Sequence, residues 1–238
     1  MHKNTVELIG YYGSDETHAL SAWTSTSREL TDDKRKRISQ LLRKLVEGSD
    51  GNSHETPFEK SSLHFLVTTD IASHIHIIKH RIAVSVNTES ARYRELDEDK
   101  YLLPDDWTDD ICSMVDEVPI NDNFNHFVWD SDVKYLYWKD VLDSYNQLGN
   151  ILYHAALKEL EKKLGRKRAK ESARFFKPYS SQITADVMFN FRSFIHFQKL
   201  RNAAGAQKEI REIAETMLQL VKNIEGQPFK HSLEAFGF

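Results

Sequence analysis

Apolar residues recur along this chain with two different periods. Alternation or a short apolar run predicts strands in VELIGYYGSDE, where Gly13-Ser14-Asp15 is the breaker, in SLHFLVTT, in Ile82-Ala83-Val84-Ser85-Val86 and in SQITADVMFNF. A helical period runs through TDDKRKRISQLLRKLVEG, with Ile38, Leu41, Leu42, Leu45 and Val46 on one stripe. Thr31 caps that helix, Asp32 and Asp33 favour its positive end, and Gly48 stops it. YLYWKDVLDSYNQLGNILYHAALKELEKKLG predicts a long helix ending at Gly165, with Trp138, Val141, Leu142, Tyr145, Leu148 and Leu152 on its apolar face. DETHALSAWTSTS, DIASHIHIIKH, RSFIHFQKLRN and AQKEIREIAETMLQLVKNI predict further helices, and RKRAKESARFFKPYS is basic and turns at Pro178. The elements predict an α+β protein, a modest β-sheet covered by long helices.

Composition changes this picture in one place. From Leu96 to Asp132 the chain is acidic and turn-rich, which predicts a surface excursion and not a second domain. The expectation is one domain over residues 1–238, because 40% hydrophobic content in 238 residues supplies a sizeable core. A net charge of −4 argues against a global positive field for nucleic acid. The single cysteine, Cys112, leaves no internal disulfide and fits a reducing compartment. MHKNTVELIGYY lacks an apolar signal core, and no run spans a bilayer, so the expected location is cytoplasmic.

Several chemistries lack their residues. HETPFE opens like a zinc motif, but Phe58 stands where the second histidine belongs, and His74, His76 and His80 do not share one helical face; no metal site is expected. The nine glycines never form a dinucleotide or phosphate loop. Carboxylates around Cys112 disfavour a thiolate. GRKRAK could touch RNA, but such a run is usually a solvated helix end, and no nucleic-acid partner is expected of a chain that is acidic overall. The arginines remain. Arg81, Arg92, Arg174, Arg192 and Arg201 sit beside apolar or aromatic residues, where an unpaired cation is costly. Either carboxylates pair with them or they converge on phosphate, and the pattern alone leaves both open.

The stretch KHRIAVSVNTESARYRE resembles the signature of the flavin-dependent thymidylate synthases, with Ser85, Asn87, Ser90, Arg92 and Tyr93 in the family string. The resemblance extends to His54, Pro57, Phe58 and Glu59, and to a third block holding Arg174, Asn190, Arg192, Arg201, Gln207 and Ile210. Departures are Lys79 for an arginine, one extra residue between Arg81 and Ser85, His76 for a common glutamine, His196 for asparagine and Gly205 for histidine.

The resemblance implies reductive methylation of dUMP to dTMP, with 5,10-methylenetetrahydrofolate as carbon donor, FAD as redox cofactor and NADPH as reductant, in a homotetramer whose sites are built from several subunits. It implies dUMP contacts from His76, Glu89, Ser90, Ala91, Arg92, Arg174 and Arg201, and flavin contacts from Ser25, Thr56, Lys79, His80, Arg81, Asn87, Asn190, Arg192 and His196. Arg201, Arg92 and His54 are the implied catalytic residues. The rival readings are a deoxyuridylate hydroxymethylase, a non-catalytic nucleotide- or RNA-binding protein, and a helical interaction module whose arginines pair only with carboxylates.

Overall fold

The structure, a computed structural model, describes residues 3–48, 52–114 and 135–238. Contacts group the chain into two compact units, one of Asn4–Thr69, Ser73–Thr88 and Thr184–Phe238, the other chiefly Glu89–Ile183.

The first unit is organised by a sheet of order β1-β2-β6-β3, with β1 Thr5–Tyr12, β2 Ser62–Asp70, β3 Val84–Thr88 and β6 Gln182–Asn190. β1 pairs antiparallel with β2, and β3 antiparallel with β6, Val84 lying opposite Phe189. Alternation selects the buried face: Leu63, Phe65 and Val67 on β2 and Ala185, Val187 and Phe189 on β6 are fully buried. That face packs into one core with Leu42 of α3 (Ile38–Glu47), with Phe191, Phe194 and Phe197 of α7 (Phe191–Arg201) and with Ile210, Ile213 and Met217 of α8 (Lys208–Lys222). Each fully buried large apolar side chain contributes about 1.5–3 kcal/mol, so this aromatic-rich core is the unit's main stabilising term. α1 (Asp15–Trp23) and α4 (Ile71–Ile78) match the predicted helices.

Three local expectations change. The helix predicted from Thr31 to Gly48 is two, α2 (Asp32–Lys36) and α3, broken at Arg37 (φ −101°, ψ 1°). The Thr31 cap and the Gly48 stop stand as predicted, with Thr31 Oγ1 accepting from Lys34 N and Gly48 at φ 72°. β3 begins at Val84, not Ile82: Ala83 takes φ 52°, and Ile82 is 87% exposed. A short C-terminal helix, α9 (Lys230–Ala235), was not foreseen; its neighbours Phe229 and Phe236 join the core.

The second unit holds α5 (Trp138–Leu164), ended by Gly165 at φ 75°, and α6 (Arg166–Ala173), followed by a 3-10 turn at Arg174–Phe176. A two-stranded ribbon of β4 (Cys112–Met114) and β5 (Tyr135–Tyr137) precedes α5, so the helix starts three residues later than the predicted segment. Its buried side carries Asn146, Gly149, Asn150, Tyr153 and Leu157, whereas Tyr145 and Leu152 of the predicted apolar face are 52% and 38% exposed. The buried polar groups have partners: Asn150 Nδ2 donates to Asp99 O, and Ser180 Oγ donates to Asn146 Oδ1. Lys177, whose side chain is buried, donates to Asp99 Oδ1 and Asn150 Oδ1, both at 2.7 Å. Within the acidic segment, Leu103 is buried and Tyr101 bridges to Ser181. Its residues 115–132 lie outside the described residues.

Candidate active site

The sheet unit carries two neighbouring recesses. The larger, about 730 Å³, opens between the turn after α4, the start of β3 and α7. Lys79, His80, Arg81, Asn190, Arg192, His196 and Arg201, all foreseen from sequence, line it. The smaller, about 450 Å³, holds Ser25, His54 and Thr56, again foreseen, with Arg192. Arg192 and Glu55 line both.

Local chemistry positions these groups. Asn190 ends β6 and caps α7, its Oδ1 accepting from Ser193 N at 2.8 Å. That cap fixes where Arg192, His196 and Arg201 emerge along α7, and residues 192 and 196 share a helical face. Across the recess the chain leaves α4, His80 N donating to Ile77 O at 3.0 Å. The Ile82–Ala83 turn is pinned twice: Ser193 Oγ donates to Ile82 O at 2.7 Å and Asn190 N to Ala83 O at 3.1 Å.

The arginines divide by partner. Arg192 donates to Glu55 Oε2 at 3.0 Å and to Glu59 Oε1 at 2.7 Å, and these carboxylates hold its guanidinium pKa above the usual value. Arg201 instead donates Nε–H to His80 Nε2 at 3.0 Å. An imidazole that accepts at Nε2 is neutral. Consistently, burial, then the charges of Arg201, His196 and His76, push the His80 pKa down to about 4. Lys79, Arg81 and Lys199 add cations to the same walls, and the only carboxylates among the lining residues, Glu55 and Glu59, are spent on Arg192. The recess therefore presents surplus positive charge, apolar surface from Ile82, Val84, Ile195, Leu200 and Phe236, and an amide. That donor set fits a large anionic ligand with a planar body.

The remaining expected residues lie elsewhere. Asn87 is on β3 opposite Asp186, and His76 is half-buried on α4 with no hydrogen-bond partner for Nδ1 among the described residues. Glu89, Ser90, Ala91, Arg92 and Arg174 belong to the other unit. There Ser90 opens a tight turn: its carbonyl accepts from Tyr93 N and Arg94 N, and its Oγ from Arg92 N at 3.3 Å. Arg92 Nε donates to Glu171 at 3.0 Å, and Glu89 pairs with Arg94 at 3.1 Å. Arg174 is exposed at the start of the 3-10 turn.

Lys199, Ser193, Ile82 and Phe236 line the larger recess and were not foreseen as site residues. Glu59 lies in the HETPFE segment, but nothing in the sequence pairs it or Glu55 with Arg192. Among the described residues no cluster of histidine, cysteine and carboxylate side chains fits a metal ion, and no helix is long and apolar enough to cross a membrane.

Comparisons with known proteins show the family of this chain. The family model described as Thymidylate synthase complementing protein matches residues 7–225. A curated relative from Wolbachia pipientis wMel, named flavin-dependent thymidylate synthase, is 30% identical over 220 residues, covering 91% of this chain and 69% of the relative. One of the same name from Ehrlichia ruminantium (strain Gardel) is 29% identical over 227 residues, covering 93% and 68%. Among solved structures, the UMP/dUMP methylase PolB from Streptomyces cacaoi, bound with 5-Br dUMP, superposes with a TM-score of 0.69 at 25% identity, over 99% of this chain and 95% of that one. The match runs through both compact units, and the chain belongs to the thymidylate synthase complementing protein family.

Proposed function

We propose that this chain is a flavin-dependent thymidylate synthase that methylates C5 of dUMP, taking the carbon from 5,10-methylenetetrahydrofolate and its reducing power from NADPH. One observation carries the reading: the cationic, amide-bearing recess fits a flavin dinucleotide and holds a guanidinium, Arg201, that no carboxylate neutralises among the described residues.

When bound, FAD would supply the redox chemistry that the methylation needs. Lys79, Arg81 and Arg192 would hold its phosphates as charge-assisted donors, while Asn190 Nδ2, His196, Ser25 and Thr56 would supply polar contacts, with Asn87 on β3 as a further flavin contact that the family resemblance implies. Arg201 and Arg92 face the uracil carbonyls and stabilise the enolate-like charge that develops as C5 attacks the one-carbon unit. Ser90, through its hydroxyl and amide, and Arg174 hold the nucleotide phosphate; Glu89 and Ala91 contribute backbone groups, and His76 borders the nucleotide. His54 is exposed in the smaller recess, and in this reading it moves a proton near the folate.

The assembly in this reading is a homotetramer with sites built from several copies, each copy contributing the one domain that the family match spans. It is supported by α5, which buries asparagines and leaves Tyr145, Ile151 and Leu152 exposed. Light scattering of the purified protein tests it, and a monomer at micromolar concentration rejects it.

The decisive experiment is spectroscopic and then chemical. The purified protein is expected to show flavin absorbance that NADPH bleaches without oxygen, and to convert dUMP to dTMP when methylenetetrahydrofolate is added. Colourless protein that binds no added FAD rejects the reading. A second reading, hydroxymethylation, is favoured by the Ala83 turn at φ 52°, which forms part of the recess edge; its product is heavier than dTMP by one oxygen. UMP is assayed beside dUMP, because PolB is named for both.

A further inference from the structure

We propose that His80 is a positioning residue: its neutral imidazole fixes the orientation of the Arg201 guanidinium and acts on the reaction through Arg201. The inference rests on the reading above, in which Arg201 faces the pyrimidine.

Three features of the site point this way. His80 is only 9% exposed, so most of its ring faces protein and not the recess. It is locked from several sides: edge-on to Phe197 at 5.0 Å, edge-on to His196 at 5.8 Å, and tied through its backbone N–H to Ile77 O at 3.0 Å. Its Nε2 then receives the Nε–H of Arg201 at 3.0 Å. With Nε satisfied, the two terminal NH2 groups keep their paired donors in one plane, the geometry that matches carbonyl and phosphate oxygens.

The choice of partner matters as much as the contact. Arg192, which lines the same recess, shows the other arrangement, in which Glu55 and Glu59 take up its donors and offset its charge. A carboxylate in the place of His80 would draw on the charge that the reacting pyrimidine needs. A neutral acceptor orients the guanidinium and leaves the full positive charge for the ligand. Among the described residues, one arginine thus shares its charge with two carboxylates while the other is both held and unneutralised.

The test uses the full-length protein labelled with 15N in arginine and histidine. A scalar coupling across the N–H···N hydrogen bond between Arg201 Nε and His80 Nε2 is expected, assigned by its loss in Arg201→Lys. In steady state, His80→Phe keeps the ring but removes the acceptor, and kcat with dUMP should fall by about 10- to 100-fold, the scale of a displaced catalytic group. KM for dUMP should change less than kcat. His80→Gln, whose Oε1 replaces Nε2 as acceptor, should restore most of the loss, a rescue that a purely packing role would not give. Wild-type protein without the coupling, or a phenylalanine variant with undiminished kcat, overturns the proposal. If the phenylalanine variant does not fold, His80→Asn, whose oxygen falls short of Arg201, takes its place in the same assay. Wild-type protein that never turns over dUMP counts against the proposed function; the coupling is read without substrate or flavin and judges His80 alone.

Discussion

His18 and Ser232, 214 positions apart, meet in the core of the sheet unit with imidazole Nδ1 2.8 Å from the hydroxyl. Their neighbours fix the direction of every proton. The Asp15 carboxylate accepts from Ser232 N and Ser232 Oγ, so the serine proton is committed and its oxygen accepts from His18 Nδ1–H. Nε2 of His18 is then the acceptor for Ser61 Oγ–H at 2.7 Å. A directional chain from Ser61 through His18 and Ser232 to Asp15 ties α1 to α9, and His18 has no exposed surface. The chain works only while His18 is neutral.

Burial pushes the His18 pKa down to about 3. In the unfolded chain it returns to about 6.5. Below that pH the unfolded state binds a proton that the folded state refuses, so stability present above pH 6.5 is lost as pH falls toward 3, by about 1.4 kcal/mol per unit where the slope is full. His80 adds to the slope with its pKa near 4. Asp15 opposes it: burial raises its pKa, so its contribution is largest in acid and is lost as pH rises through the raised value. Urea unfolding at pH 7 and pH 5 should therefore show a marked loss, and His18→Gln should reduce that loss by about 2 kcal/mol. An identical drop in wild type and variant would exclude His18 as the source.

Ala83 holds a left-handed backbone, φ 52°, between the Asn190 and Ser193 hydrogen bonds. That region costs an alanine about 1–2 kcal/mol, and glycine avoids the cost while losing about 0.5–1 kcal/mol to the greater freedom of the unfolded chain. Ala83→Gly should be stabilising by about 0.5 kcal/mol, seen as a small rise in Tm. A fall in Tm would mean that the turn is not strained.

The same turn shows where the sequence was legible and where it was not. Alternation found β1, β2 and β6, because each buries one face and the period survives in the residue order. It misread Ile82, since one left-handed residue decouples an apolar side chain from the strand that follows. It ran through Arg37 because the stripe from Ile38 to Val46 says nothing about whether the turn before it is continuous. On α5 it chose the apolar side, while Asn146 and Asn150 are buried by loop partners that no local pattern announces. At the site, Lys79, Arg81, Arg192 and Arg201 were legible through the family resemblance, whereas Lys199 was not. Their partners were not: Arg192 with Glu55, and Arg201 with His80, are long-range pairings decided by the fold.

Gly149 lies in the middle of α5, where alanine ordinarily stabilises a helix by about 1 kcal/mol. Here a Cβ would stand 2.8 Å from Phe176 O and 2.9 Å from Pro178 Cδ. One neighbour is backbone and the other a rigid ring, so neither yields cheaply, and overpacking of this kind costs about 1–3 kcal/mol. Gly149→Ala should lower the denaturant midpoint, with a net loss of roughly 1 kcal/mol. Unchanged or greater stability would show that the helix and the turn at Pro178 are not in contact at this point.

Arg192 separates two demands that a single substitution can tell apart. Its ion pairs with Glu55 and Glu59 involve partly exposed side chains, and such pairs contribute about 0–1 kcal/mol to stability. Its removal, however, leaves two carboxylates facing the recesses assigned to the flavin. Arg192→Ala should therefore fold with nearly unchanged Tm yet lose flavin affinity by roughly tenfold or more, the equivalent of one charge-assisted hydrogen bond of about 1.5–3 kcal/mol. Adding Glu55→Gln and Glu59→Gln to the variant should recover part of that affinity by removing the exposed negative charge. The measurement is the flavin-to-protein ratio after dialysis and the Kd by fluorescence titration. A variant that holds FAD as tightly as wild type would show that Arg192 is only a wall between the recesses, and that the cofactor's phosphates are held by other residues.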